Sequence, residues 1–173
     1  MRDAALPRSW LVPALVLMGL AARLAPHPWN ATPVMAIALF AGTYLSRRSA
    51  ILLPLAIVAL TDLVLGLHPT MPFTWSAFAL IGMLAWWVRR RPAPGRVVAA
   101  ALAGSIVFFA VTNFGVWLVG GIYPRTLDGL WQCYVAAVPF FRNGLAGDLV
   151  YTAALFGAYA ALSGRALTGQ PAA

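Results

Sequence analysis

The sequence predicts an all-α membrane protein: a bundle of six transmembrane helices, with a short amphipathic helix in the connection between the fifth and sixth. Three observations predict it. Apolar residues make up 62% of the chain and charged residues only 9%, where an ordinary soluble domain carries about 25% charged residues. The 173 residues leave room for about six spans of roughly 20 residues with short loops, and six apolar runs are separated by segments rich in proline, glycine and arginine. Finally, those arginines alternate between the segments in the way that orients membrane proteins.

Taken in order, the spans are expected at about residues 10–25, 33–46, 50–67, 73–88, 97–119 and 145–162, within one integral membrane domain covering residues 1–173. The first run follows a basic leader, Met1 to Arg8, and ends in small residues, which also fits a cleaved signal peptide. The next apolar run follows almost at once, which favours a retained span. Between them, Pro26-His27-Pro28-Trp29-Asn30-Ala31-Thr32-Pro33 holds three prolines and cannot be regular helix. Its freed backbone groups need water or protein, so it belongs at a surface or beside a cavity. The second span is short and rich in small residues. Ala38 and Gly42 stand four apart on one face, which permits close helix contact.

Arg47-Arg48 marks a turn, and the third span carries Thr61-Asp62 in its far half. His68 to Pro72 closes it. The fourth span ends in Trp86-Trp87 and Arg89-Arg90-Arg91, an aromatic anchor followed by a charged stop. The fifth span is the longest and holds Thr112-Asn113; Gly120-Gly121 breaks it. Leu127 to Val138 alternates polar and apolar side chains as an interfacial amphipathic helix does. The last span then opens at Arg142-Asn143, with Asn143 expected as its N-cap and Asp148 near the positive end of its dipole.

All twelve basic residues are arginine, and the net charge is +8. They are scattered between apolar runs and form no basic domain face, so membrane orientation explains them and nucleic acid does not. With both termini cytoplasmic, nine arginines fall inside and only Arg23, Arg125 and Arg142 outside. The expected location is the bacterial inner membrane, with the lipid bilayer as the first partner. A lone Cys133 excludes an internal disulfide. Two loop histidines, His27 and His68, are too few for a metal site. No metalloprotease, phosphate-loop or nucleophile-elbow motif is present, no histidine lies on an expected helix to activate Ser105, and no cofactor is called for.

On this topology the polar residues gather at the outer end. Asp62, Asn113, Arg142, Asn143, Asp148 and Tyr151 are expected to line one outward-facing pocket, with Trp29 or Trp117 as an apolar wall and Arg23 nearby. An acid inside an apolar run must meet a cation, a proton or a ligand. Asp62 is therefore expected within salt-bridge reach of Arg23, Arg125 or Arg142.

Several blocks carry a resemblance: Arg23-Leu24 with Pro26-His27-Pro28, Thr32-Pro33, Ala38-Leu39-Phe40-Ala41-Gly42, Asp62 with Gly66, Thr112-Asn113-Phe114-Gly115-Val116-Trp117, and Pro139 through Asp148. Over roughly residues 22 to 160 the chain resembles an uncharacterised bacterial family of small multi-span proteins described as transport proteins. More loosely, the six-helix plan is similar to the substrate-binding S components of energy-coupling factor transporters. That likeness implies a substrate-capture subunit, or a solitary transporter, for a small micronutrient such as a vitamin. It also implies docking through Ala38, Ala41 and Gly42 onto energising transmembrane and ATPase subunits. Two rival expectations are an accessory or scaffold subunit of a membrane complex and a small integral-membrane enzyme.

Overall fold

The computed structural model describes residues 8–26 and 30–163. Among them are six helices and no strand: α1 (Arg8–Leu24), α2 (Val34–Tyr44), α3 (Ser49–Leu65), α4 (Met71–Arg90), α5 (Pro94–Val119) and α6 (Leu127–Ser163). Three of these, α4, α5 and α6, are long and apolar enough to cross a membrane; α1, α2 and α3 are apolar but shorter.

The axis of the bundle is α2. Every residue from Val34 to Thr43 is buried, because α3, α4, α5 and α6 all pack around it. At 11 residues it is only about 16 Å long, and its uniform apolarity suits a helix with no free face. Small residues make the enclosure possible. A Cβ on Gly42 would collide with Ala85 Cβ and stand 2.7 Å from Ala50 Cβ, and one on Gly82 would stand 2.6 Å from the Ala50 carbonyl oxygen. Thus α3 and α4 approach backbone to backbone, and the backbone of α2 rests on the alanine methyls of both. Ala38, Ala41 and Gly42, expected to face a partner, are covered by this chain's own helices. The small-residue signal was genuine, but its contact is internal.

Side-chain contacts fix the direction of each helix. The ends of α1 and α3 meet where Arg23 reaches Thr61 and Asp62, and the start of α4 joins them through Trp75. At the opposite end, Arg89 Nη1 donates to the carbonyls of Gly42, Thr43 and Leu45 at 3.2 to 3.4 Å, closing the C-terminus of α2 with a cation. The guanidinium of Arg47 lies 5.9 Å from the Trp86 ring centre, and that of Arg96 lies 5.0 Å from Trp87. Phe40 and Tyr44 stack with Phe156 and Tyr159 of α6 nearby, at centroid distances of 4.3 to 5.6 Å. The chain therefore runs up and down in strict alternation, with Arg47, Arg48, Arg89, Arg90, Arg91 and Arg96 at one end.

The largest difference from the sequence expectation lies in α6. Residues 127–163 form one helix of 37 residues, about 55 Å long, with no separate amphipathic helix and no long connection. The link from α5 is only residues 120–126. Pro139 and Asn143-Gly144 look like breakers locally, but pairing with α5 outweighs them. Tyr134 Oη donates to the Ala110 carbonyl at 2.6 Å, Cys133 Sγ to that of Asn113 at 3.4 Å, and Phe109 stacks on Tyr134 and Phe141. Asn143 is consequently an exposed interior residue rather than an N-cap. Asp148 lies far beyond the first turn, where a helix dipole gives a carboxylate little help.

A candidate ligand cavity

Two helical stripes face each other at the end of the bundle away from the arginine cluster. On α5 the stripe is Ser105, Phe108, Phe109, Thr112, Asn113 and Val116; on α6 it runs Cys133, Ala136, Ala137, Phe140, Phe141, Gly144, Leu145 and Asp148. Both follow the alternating three- and four-residue steps that put side chains on one helix face. Between them is a cavity of about 410 Å³, completed by Thr70, Thr74 and Phe78 from the α4 side, Asn30, Thr32 and Met35 from the α2 side, and Ile122 and Tyr123 of the α5–α6 link. This size and this largely apolar lining with a few polar groups are those of small-molecule sites.

Each wall has a local cause. The linker before α2 comes close because α6 offers glycine there: a Cβ on Gly147 would fall 2.9 Å from Ala31 Cα, and one on Gly144 would fall 3.6 Å from Asn30. Asn30 itself takes a positive φ of 63°, which asparagine tolerates better than most residues. At the deep end, Ser105 is buried and its Oγ sits 2.8 Å from Asp148 Oδ2 and 3.1 Å from the Ala101 carbonyl. Thr112 Oγ1 and Asn113 Nδ2 donate back to Phe108 and Phe109 carbonyls at 2.7 and 2.8 Å.

Of the residues expected to line one pocket, Asn113 and Asp148 do so. Asp62 does not. Its Oδ1 accepts from Arg23 Nη2 at 3.0 Å and its Oδ2 from Trp75 Nε1 at 2.9 Å, while Arg23 Nε donates to Thr61 Oγ1 at 2.7 Å. The expected salt bridge is present, with Arg23 as the partner, and it occupies the acid fully. Arg23 borders only a smaller adjoining cleft of about 130 Å³, which shares Asn30, Thr32, Phe78 and Phe108 with the main cavity. Trp117 is turned to the α5–α6 link, donating to the Pro124 carbonyl at 3.0 Å. Arg142 and Asn143 are exposed, and Tyr151 is not on the cavity wall. Trp29 and His27 lie outside the described residues.

The sequence reading missed the hydroxyls Ser105, Thr70, Thr74 and Thr112 and the phenylalanines of both stripes. Their signal was the three-and-four spacing on α5 and α6, read as two registers that face each other. Among the described residues no group of three or more histidine, cysteine or acidic side chains is placed to hold a metal ion.

No curated protein and no solved structure matches the chain. Residues 4–171 match the family described as a family of unknown function (DUF6580). With nearly its whole length covered by that match, the chain belongs to this family of unknown function.

Proposed function

We propose that the protein is a polytopic inner-membrane protein that captures a small organic molecule from the outer side, as the binding part of a transporter. The observation that carries this reading is the cavity of about 410 Å³ at the arginine-poor end of the bundle. Its position relative to the Arg47–Arg96 cluster matches the positive-inside rule, with the cluster cytoplasmic and the cavity mouth outward. The side chains Leu52, Leu63, Val64, Leu80, Ile106 and Val150 are exposed around the bundle. Such a surface suits lipid contact. An S-component-like division of labour, with a separate energising module, is the finer form of the proposal. Because Ala38, Ala41 and Gly42 are buried, docking to such a module would use other surfaces.

Topology is tested by reporter fusions in the loops 45–48, 66–70, 91–93 and 120–126. They should read inside, outside, inside and outside, and two readings of the wrong sign would overturn the orientation. Capture is tested by purifying the protein from native membranes and identifying retained small molecules by mass spectrometry. Ala136 lines the cavity, so Ala136→Phe should deplete the retained molecule at least about tenfold by filling its space. The lipid-facing Leu52→Phe should leave it in place. If no retained molecule distinguishes Ala136→Phe from the unaltered protein, the capture reading falls.

A further inference from the structure

We infer that the cavity selects a small organic cation, an aromatic or quaternary ammonium compound, through Asp148 and the phenylalanine rings around it. This rests on the capture reading and gives its ligand a chemical class. Asp148 is the one carboxylate among the described lining residues, and no arginine or histidine is among them. Among the described residues the one ion pair is Arg23–Asp62, so Asp148 is not paired with an arginine there, and its hydrogen bond is from the neutral Ser105 hydroxyl, to Oδ2. A carboxylate in an apolar cavity needs a positive counter-charge or a proton.

The neighbouring walls favour an organic cation over a metal ion. The ring pairs Phe78–Phe108 and Phe109–Phe141, with centroids 5.1 and 4.8 Å apart, both border the same space as Asp148. Aromatic faces attract weakly hydrated organic cations, and the attraction grows when water is excluded. An inorganic cation instead requires several converging ligands. Among the described residues no group of three or more histidine, cysteine or acidic side chains is placed to hold one, and Thr112 and Asn113 are turned back onto their own helix. A cavity of about 410 Å³ also exceeds what a bare ion fills and falls in the range used for organic ligands.

The test measures binding to the full chain in nanodiscs, using benzyltrimethylammonium with neutral benzyl alcohol and anionic phenylacetate as controls of similar size. The cation should bind at least about tenfold more tightly than either control. Asp148→Asn should abolish that preference and Asp148→Glu should retain most of it. Should Asp148→Asn fail to fold, Phe109→Leu, which removes a ring and keeps the carboxylate, should weaken the cation selectively. Equal or tighter binding of a control, or a preference unaffected by both Asp148→Asn and Phe109→Leu, would overturn the cation assignment. Failure of all three probes to bind would overturn it too. The capture reading is judged separately by the molecule retained in native membranes, so a neutral or anionic retained ligand would sink this inference and leave capture standing.

Discussion

Asp62→Ala should destabilise the folded protein by about 3–5 kcal/mol, the cost of stranding one member of a buried ion pair. The geometry explains why. Asp62 is buried, with its side chain 3% exposed, and both its oxygens are occupied, by the Arg23 guanidinium and the Trp75 indole. Removing the acid leaves a cation only 17% exposed and an indole N–H without its acceptor, and each orphaned group carries a desolvation penalty. The pair also ties the ends of α1, α3 and α4 together, so its loss frees three elements at once. Replacing both partners by apolar residues, Arg23→Met with Asp62→Leu, should recover most of the loss, because no charge is then left buried. Asp128→Asn is the control. Asp128 is exposed and accepts from Gln132 on its own helix, so its change should stay within about 0.5 kcal/mol. Chemical unfolding in detergent would measure all three. Equal effects of Asp62→Ala and Asp128→Asn would show that the pair does not organise this end of the bundle.

That ion pair was legible in the sequence because the cost of an unpaired acid in an apolar run holds wherever the run sits. The alternation of the helices was legible for a similar reason, since the arginines sort by end. The course of α6 was not. Pro139 and Asn143-Gly144 carry local propensities that tertiary contacts override, and those contacts, from Phe109, Ala110 and Asn113 of α5, join residues twenty or more apart in sequence. Reading a helix start at Asn143 then assigned Asp148 to a dipole, when its observed neighbour is Ser105. Two of the cavity's hydroxyls were hidden for a further reason. Thr112 and Ser105 can satisfy themselves on the carbonyl one turn back, so neither demands an explanation when only the sequence is in view.

Glycine to alanine should have opposite signs at two helical positions. At an exposed helix site the substitution stabilises by roughly 1 kcal/mol, because alanine loses less backbone entropy on folding. Gly157 meets that condition: it is exposed on α6 and a Cβ there has no neighbour within 4 Å. Gly82 has the same intrinsic preference and the reverse surroundings. Its added Cβ would stand 2.6 Å from the Ala50 carbonyl oxygen and 3.0 Å from both the Ala50 carbonyl carbon and Ile51 Cγ1. Two of those three atoms are backbone, so relief requires moving α3 away from α4 rather than turning a side chain. Overpacking of this kind costs about 1–3 kcal/mol, enough to reverse the helix-propensity gain, and Gly82→Leu should prevent assembly outright. The loss should also reach the arginine end, because α2 is wedged between these helices through Gly42, Ala50 and Ala85. Unfolding in detergent should therefore rank Gly157→Ala above the unaltered protein and Gly82→Ala below it. A Gly82→Ala protein as stable as Gly157→Ala would mean that α3 and α4 are not in backbone contact, and the enclosure of α2 would have to be redrawn.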